Sequence, residues 1–365
     1  MNKLSIMQKT QRKKRITYID VARGIALLLV IVTHAGIGWW VNDGYAQWIT
    51  NFIMIGNLPI FFFLSGFLFH DYSWKKRIIN TLNNLIVPYI FGSLMIVALA
   101  WLLNWPVKST LAGAIYGNGG HDLTLLGDLA PIGAIWFFLA MAISVLTFSL
   151  LVKLVNFTRL PEFSRRIIVL LTSLLIFFII VRHEFVPYLW PFDIQSGLLG
   201  STFLALGYLF KYLFDERTRQ FHFIQTPYFA LLCLAVWVYI SKTNIFYFVS
   251  AVINGNAWQT LLAAFASIIV ILDLAIWLDK KIHGWMAWIG RNSGMLMVTH
   301  DWVLIFLQVQ LVNRYLYILH LNNYLGWTLA ALIIAFLTFI TAFLINRSHF
   351  VQTIFFQRNW PLKVQ

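Results

Sequence analysis

Charged side chains are scarce in this chain. Asp, Glu, Lys and Arg make up 11% of its 365 residues, whereas 60% of the residues are hydrophobic. Soluble domains carry about 25% charged residues. The composition therefore excludes an ordinary soluble domain and predicts a membrane protein.

Cysteine is nearly absent as well. The single cysteine, Cys233, lies in the apolar run FALLCLAVW, which excludes an internal disulfide and predicts a small core residue. No His/Cys group has the spacing of a zinc site, residues 183–185 (HEF) fall short of HExxH, and neither GxGxxG nor a Walker P-loop is present. We therefore expect no metal ion and no nucleoside triphosphate.

Acidic residues are few compared with basic ones, and the formal net charge is +14. In a soluble protein such a charge suggests nucleic acid. In a membrane protein, basic residues are expected in the cytoplasmic loops. We accordingly expect the lipid bilayer, and no nucleic acid, as a partner; the sequence does not indicate an oligomeric state.

Long apolar runs are abundant. About 18 or more mostly apolar residues are needed to span a bilayer as a helix, and ten such runs, of which the fifth and seventh are short, predict an all-α polytopic membrane protein. The predicted spans are 18–40, 47–70, 84–104, 132–154, 167–181, 194–214, 226–241, 258–278, 289–311 and 325–346. The apolar piece 244–254 (NIFYFVSAVIN) is too short to span and is predicted to be a re-entrant or interfacial element.

The distribution of Lys and Arg predicts the orientation. If the N-terminus is cytoplasmic and the ten spans alternate, 22 basic residues face the cytoplasm and four face the other side. Such an asymmetry favours both termini inside. The prediction is a basic cytoplasmic tail at 1–17, a ten-helix domain at 18–346 and a cytoplasmic tail at 347–365.

The first span, YIDVARGIALLLVIVTHAGIGWW, contains Asp20, Arg23 and His34. Ionisable groups inside a bilayer are costly and often functional. Arg23 and His34 are 11 residues apart, so on a helix they share one face and lie about 16 Å apart along the axis. Asp20 is placed to pair with Arg23. The alternatives are an arginine that reaches the interface and a hydrogen-bonded core histidine.

Five sequence elements occur in one order along the chain. They are D-x-x-R-G with His34 eleven residues after the Arg; NLPIFFFLSGFLF with Pro59, Phe62, Ser65 and Gly66; KKRIINTLNNLIVPYIFG with Arg77, Pro88 and Tyr89; AIWFFLAMAI with Trp136, Phe137 and Leu139; and IGRNSGMLMVTH with Gly290, Asn292, Ser293 and His300. This series resembles the acyltransferase-3 family of integral membrane O-acyltransferases. It is most similar to the subgroup of fucose 4-O-acetylase-like enzymes that acetylate polysaccharides. Many members carry an acidic residue shortly after the Trp-Phe-Leu element, where this chain reads AMAIS.

The resemblance implies transfer of an acyl group, usually acetyl, from acyl-CoA to a sugar hydroxyl. Acetyl-CoA is then a co-substrate, and no tightly bound cofactor is expected. Imidazole suits this chemistry at neutral pH, so His34 is expected to be either the general base or the acyl carrier. His300 or Asp301 is expected to orient or stabilise His34, although His300 also fits a packing role and Asp301 a position facing water.

The other expected roles divide between donor and acceptor. Because a guanidinium suits phosphate recognition, arginines are expected to bind the CoA donor. The residues expected to bind CoA are Arg23, Lys76, Arg77 and Trp136. Residues assigned to the acceptor are Asp20, Ser65, Asp193 and Asn292. Ser65 equally fits helix packing, and Asp193 equally fits a helix cap.

Two functions remain after this reading of the sequence. The first is a plasma-membrane acyltransferase that modifies a cell-envelope glycan or exopolysaccharide. The second is an exporter or flippase of surface polysaccharide, in which the intramembrane polar residues line a pathway.

Overall fold

The computed structural model describes residues 16–36, 44–120, 124–182, 188–213, 226–282, 284–303, 323–356 and 360–362. The predicted basic tail before residue 16 lies outside this part of the chain. Of these described residues, 80% are helical and 3% lie in strands. The α-helices, in chain order, are α1 Thr17–Ala35, α2 Gly44–Asn57, α3 Pro59–Phe67, α4 Trp74–Thr81, α5 Val87–Leu102, α6 Val107–Tyr116, α7 Trp136–Asn156, α8 Glu162–Ile180, α9 Ile194–Leu213, α10 Pro227–Ile240, α11 Ala257–Lys281, α12 Trp285–Arg291, α13 Ser293–Val303, α14 Asn323–Ile345 and α15 His349–Phe356.

Seven helical segments in the described ranges are long and apolar enough to cross a membrane. They are Thr17–Ala35, Gly44–Phe67, Trp74–Leu102, Gly133–Asn156, Glu162–Ile180, Ala257–Lys281 and Tyr324–Ile345. The chain is therefore a polytopic helical membrane protein. The total of ten spans and the cytoplasmic location of both termini stay predictions.

Two of the predicted spans are broken helices. The run 47–70 is divided at Leu58, because Pro59 has no N–H to continue α2 and is suited to the first position of a new helix, α3. The run 289–311 contains a break at Asn292 between α12 and α13, and its part beyond Val303 lies outside the described residues. The third run begins earlier than predicted, because α4 continues through a π-helical segment, Leu82–Ile86, into α5.

The first helix lies inside the bundle. It contacts α2, α3, α11, α12, α13 and α14, and Asp20 is only 3% exposed. The contact with α12 is a close approach of two backbones. A Cβ at Gly290 would overlap the carbonyl of Asp20, and one at Gly24 would lie 2.7 Å from the carbonyl oxygen of Met286. Small residues at such positions let membrane helices approach closely, so these glycines allow the polar helix to be enclosed by protein.

The piece 244–254 forms a small antiparallel hairpin. Strand β1 (Ile245–Tyr247) pairs with β2 (Val252–Asn254), and Phe246 lies opposite Ile253. A short 3₁₀ turn, Phe248–Ser250, joins the strands. Because Phe246 and Phe248 are each 1% exposed, the hairpin inserts its aromatic side chains into the protein. Its re-entrant or interfacial location in the bilayer stays a prediction.

We predict that Gly290→Ala lowers the stability of the protein by about 1–3 kcal/mol, because the added Cβ forces α1 and α12 apart. Thermal unfolding followed by fluorescence-detected size exclusion measures the change. Gly284→Ala is the matched control, since no heavy atom lies within 4 Å of its Cβ position. Equal unfolding temperatures for the two variants would refute the close contact.

Candidate active site

Two histidines from distant parts of the sequence meet at the end of α1. The ring centroids of His34 on α1 and His300 on α13 are 5.4 Å apart, at an interplanar angle of 64°. His300 is fully buried. The predicted association of His300 with His34 is therefore present in the fold.

The hydrogen bonds of both rings identify their tautomers. His34 Nδ1 lies 2.9 Å from the carbonyl oxygen of Val30, and His300 Nδ1 lies 3.2 Å from that of Leu296. A carbonyl only accepts hydrogen bonds, so each Nδ1 donates a proton and each Nε2 carries the lone pair of a neutral imidazole. No hydrogen-bond partner for His300 Nε2 occurs in the described part of the chain. The pair thus offers two basic nitrogens in a buried place.

A cavity of about 110 Å³ lies beside His34. Six parts of the chain contribute to it: α1, the α2–α3 junction, the loop between α6 and α7, the start of α7, the hairpin and α13. Its lining residues are Val30, Thr33, His34, Met54, Asn57, Leu58, Gly119, Ala134, Trp136, Phe137, Phe246, Phe248, Val249 and Met297.

Aromatic rings form one wall of this cavity. Phe62 stacks on Phe248 with centroids 4.9 Å apart, and Phe137 meets Phe62 edge-on at 5.4 Å. The centroid of Trp136 lies 6.3 Å from that of Phe248. Aromatic faces are flat apolar surfaces, so this wall can pack against the apolar face of a ring-shaped or chain-like ligand.

Asp193 lies where the hairpin is anchored. The hydroxyl of Ser196 is 3.1 Å from Asp193 Oδ1 and 2.8 Å from the carbonyl oxygen of Val249, and Asp193 is fully buried. The hydroxyl thereby links the carboxylate to a residue of the cavity wall. These contacts place Asp193 behind the hairpin, and its predicted contact with the acceptor stays a prediction.

Asp301 holds the turn that precedes α7. Its Oδ1 accepts a hydrogen bond of 2.9 Å from the backbone N–H of Ala134, and a Cβ at Gly133 would overlap its carboxylate. Gly133 has φ +66°, a value that glycine adopts without strain. The contact positions Ala134 and Trp136 in the cavity wall. The structure thus gives Asp301 a supporting role there, and a direct action on His34 stays a prediction.

A model of one protein family matches residues 16–347, under the description acyltransferase domain. The chain belongs to the acyltransferase-3 family. No curated protein and no solved structure matches it. The match shows a membrane acyltransferase, while the fucose 4-O-acetylase-like subgroup remains a resemblance.

Several family-motif residues of this acyltransferase hydrogen-bond to backbone carbonyls. Tyr89 Oη donates to the Ala114 carbonyl at 2.5 Å and so joins α5 to α6. Ser65 Oγ donates to the Phe61 carbonyl at 2.8 Å, and Asn292 Nδ2 donates to the Trp288 carbonyl at 2.8 Å. Each of these two bonds satisfies a polar side chain within its own helix. The acceptor contacts expected of Ser65 and Asn292 therefore stay predictions.

Arg23 and Asp20 lie on the half of α1 away from the cavity. Because α1 is unbroken from Thr17 to Ala35, the 11-residue spacing keeps Arg23 and His34 on one face, about 16 Å apart along the axis. Asp20 is buried, whereas Arg23 is partly exposed. The predicted stripe is thus present, and its roles toward donor and acceptor remain to be tested.

The predicted donor-binding residues Lys76 and Arg77 lie beside the link 69–73 between α3 and α4. The Arg77 guanidinium donates to the carbonyl of His70 and lies 4.5 Å from the ring centroid of Phe69. Lys76 Nζ lies 4.6 Å from the ring centroid of Tyr72 and is exposed. Arg77 therefore holds the link, and Lys76 presents its charge to solvent.

Two further cations reach the link 69–73. Lys153 forms an ion pair with Asp71 at 3.1 Å, and Lys211 Nζ lies 3.4 Å from the carbonyl oxygen of Phe69. The acyltransferase therefore gathers positive charge from α4, α7 and α9 at one place. Such a cluster suits an anionic group.

A second cavity lies near the start of α1. It measures about 110 Å³ and is lined by apolar side chains of α1, α3, α9 and α11, together with Tyr18 and Asp273. Asp273 Oδ2 has no hydrogen-bond partner among the described residues. Tyr18 precedes His34 by 16 residues, about 24 Å along the helix, so this cavity is separate from the histidine pair.

Four residues that the sequence does not mark as functional line the cavity beside His34: Thr33, Asn57, Ala134 and Phe248. Only Asn57 carried a usable signal, since it is a polar residue just before Pro59 in an otherwise apolar run. The other three look like ordinary residues of a membrane segment. Their position depends on contacts between distant elements.

We predict that Asp301→Leu destabilises the protein by about 1–3 kcal/mol, because the Ala134 N–H loses its buried acceptor. Asp301→Asn is the matched control, since its amide oxygen still accepts that hydrogen bond. Thermal unfolding of the purified variants measures both. If Asp301→Asn is destabilised as strongly as Asp301→Leu, the negative charge rather than the hydrogen bond holds the turn.

Proposed function

We propose that this protein is a membrane O-acyltransferase that moves an acetyl group from acetyl-CoA to a hydroxyl of a cell-envelope or exopolysaccharide sugar. Membership of the acyltransferase-3 family supports the reaction class. The observation that carries the proposal further is the pair of the partly buried His34 and the fully buried His300 beside a cavity of about 110 Å³. The plasma membrane is the proposed location.

In this proposal His34 Nε2 is the reacting nitrogen, because Nδ1 donates to Val30. As a general base, it takes the proton of the sugar hydroxyl while that oxygen attacks the thioester carbon; the C–S bond breaks, and the CoA thiolate leaves and is protonated. As an acyl carrier, it attacks the thioester itself, releases CoA, and passes the acyl group to the hydroxyl in a second step. Both routes remain open.

His300 supports either route by its position. A neutral imidazole whose basic nitrogen faces a buried region is suited to share the positive charge that His34 acquires during transfer. Such a neighbour lowers the cost of a charge in a place with little water. His300 is thus proposed as the positioning and charge-sharing partner.

The donor is proposed to come from the end of the bundle where α1 begins. Lys76 and the cations around the link 69–73 would meet the CoA phosphates, and Arg23 would bind the donor between this cluster and His34. Guanidinium groups and clustered positive charge favour phosphate binding. Trp136 lies in the cavity wall and would pack against the arm that carries the thioester.

Label transfer from radioactive acetyl-CoA tests the proposed function. Purified protein is placed in nanodiscs, because sugar-headed detergents would compete as acceptors, and is supplied with octyl glucoside, galactoside, mannoside or fucoside. We predict transfer by the wild-type protein and a loss of about 10²- to 10⁴-fold in His34→Ala, the usual size of an acid–base contribution. His349→Ala is the matched control, since His349 is exposed on α15.

Retention of the wild-type rate by His34→Ala would overturn the role of His34. If no glycoside or envelope glycan accepts label while deletion of the gene stops polymer export, the exporter alternative is correct. Transfer lost equally in His34→Ala and His349→Ala would indicate damage to the fold rather than to the chemistry.

A further inference from the structure

We propose that Asn57 binds a second hydroxyl of the acceptor sugar, one other than the hydroxyl that reacts, through its side-chain oxygen Oδ1. This inference rests on the proposed function. It concerns a residue that none of the five family-like sequence elements assigns to a substrate.

The first step is the orientation of the Asn57 amide. Thr33 Oγ1 donates its hydrogen to the carbonyl oxygen of Leu29 at 2.9 Å. The hydroxyl has only one hydrogen, so toward Asn57, at 3.4 Å, it can only accept. The group of Asn57 that faces Thr33 is therefore the NH₂, and this neighbour fixes the amide.

The second step concerns the other end of the same amide. Asn57 is 4% exposed, and no donor in the described residues hydrogen-bonds to its Oδ1. Buried amide oxygens in native proteins nearly always have a partner, and an exception calls for an explanation. A ligand that donates a hydrogen bond supplies one.

The third step is location. Asn57 and His34 line the same cavity, and Thr33, which holds the Asn57 amide, precedes His34 in α1. Asn57 is therefore a second polar residue of the cavity that contains His34. A ligand that reacts at His34 and also donates a hydrogen bond to Asn57 Oδ1 carries at least two hydroxyls, as a sugar ring does.

The cavity wall fits the remainder of such a ring. Trp136, Phe137 and Phe248 supply apolar faces, while polar lining atoms are concentrated at Thr33, His34 and Asn57. A sugar has hydroxyls at its edge and C–H groups on its faces, and aromatic rings pack on those faces. The acyl donor also has N–H groups in its arm, so the experiment must separate the two sources of the donated hydrogen bond.

The test compares steady-state kinetics of Asn57→Leu, Asn57→Asp and wild-type protein in nanodiscs, with acetyl-CoA and the octyl glycoside that wild type acetylates best. We predict that Asn57→Leu raises the KM for the glycoside about tenfold, the effect of leaving one hydroxyl unpaired, with little change in the KM for acetyl-CoA. Asn57→Asp, which in its neutral form both donates and accepts, is expected to restore most of the loss. Asn51→Leu is the matched control, because Asn51 lies on the same helix outside the cavity and bonds to Gln47 and Ser241.

A series of deoxy glycosides completes a double-mutant cycle. Each analogue lacks one hydroxyl other than the acetylated one. The analogue that lacks the hydroxyl bound by Asn57 should bind wild type about tenfold more weakly, and Asn57→Leu should show no further loss with it. If the losses in affinity from Asn57→Leu and from the missing hydroxyl multiply, the two groups act independently and the contact is overturned. A change confined to the KM for acetyl-CoA would also overturn it and would assign Asn57 to the donor arm. If the wild-type protein transfers no acetyl group, the proposed function and this inference are both overturned. If the wild-type protein transfers normally and Asn57→Leu leaves the KM for the glycoside unchanged, only this inference is overturned.

Discussion

The close contact between α1 and α12 is the interaction on which the site depends. α1 carries Asp20, Arg23 and His34 through the interior of the bundle, and polar groups in an apolar medium must be enclosed by protein. Gly24 and Gly290 let the two backbones meet. Because α13 follows α12 directly after the break at Asn292, the same contact helps to bring His300 to His34. The close packing of α1 against α12 thus helps to place the two histidines side by side.

The arrangement divides the motif residues into two groups with different physical tasks. Tyr89 and Gly290 hold neighbouring helices together, whereas Ser65 and Asn292 satisfy the preceding turn of their own helices. His34, His300 and Trp136 face or adjoin the cavity. Asp301 connects the groups, since it supports the turn that places Trp136. Substitutions in the first group should affect folding, and those in the second should affect chemistry.

The sequence was sufficient for most of the helical segments and for the shared face of Arg23 and His34 on α1, because apolar length and helical register are local properties. It also contains, in Pro59, the signal for the break at Leu58, although the apolar length of 47–70 predicts one continuous span. The β-hairpin, the supporting bond of Asp301 and the place of Asn57 could not be read from it. Each depends on a contact between elements far apart in the chain, such as Asp301 with Ala134, and no local pattern encodes the partner.

Chemical footprinting of His34 tests most directly whether the acyl donor reaches the histidine cavity. Diethyl pyrocarbonate modifies unprotonated imidazole nitrogens, and mass spectrometry measures the rate at each histidine, with exposed His349 as the internal reference. If the donor binds beside His34, a non-hydrolysable thioether analogue of acetyl-CoA slows the modification of His34 severalfold and leaves the modification rate of His349 unchanged. Equal modification rates of His34 with and without a saturating concentration of the analogue would contradict binding of the donor beside His34.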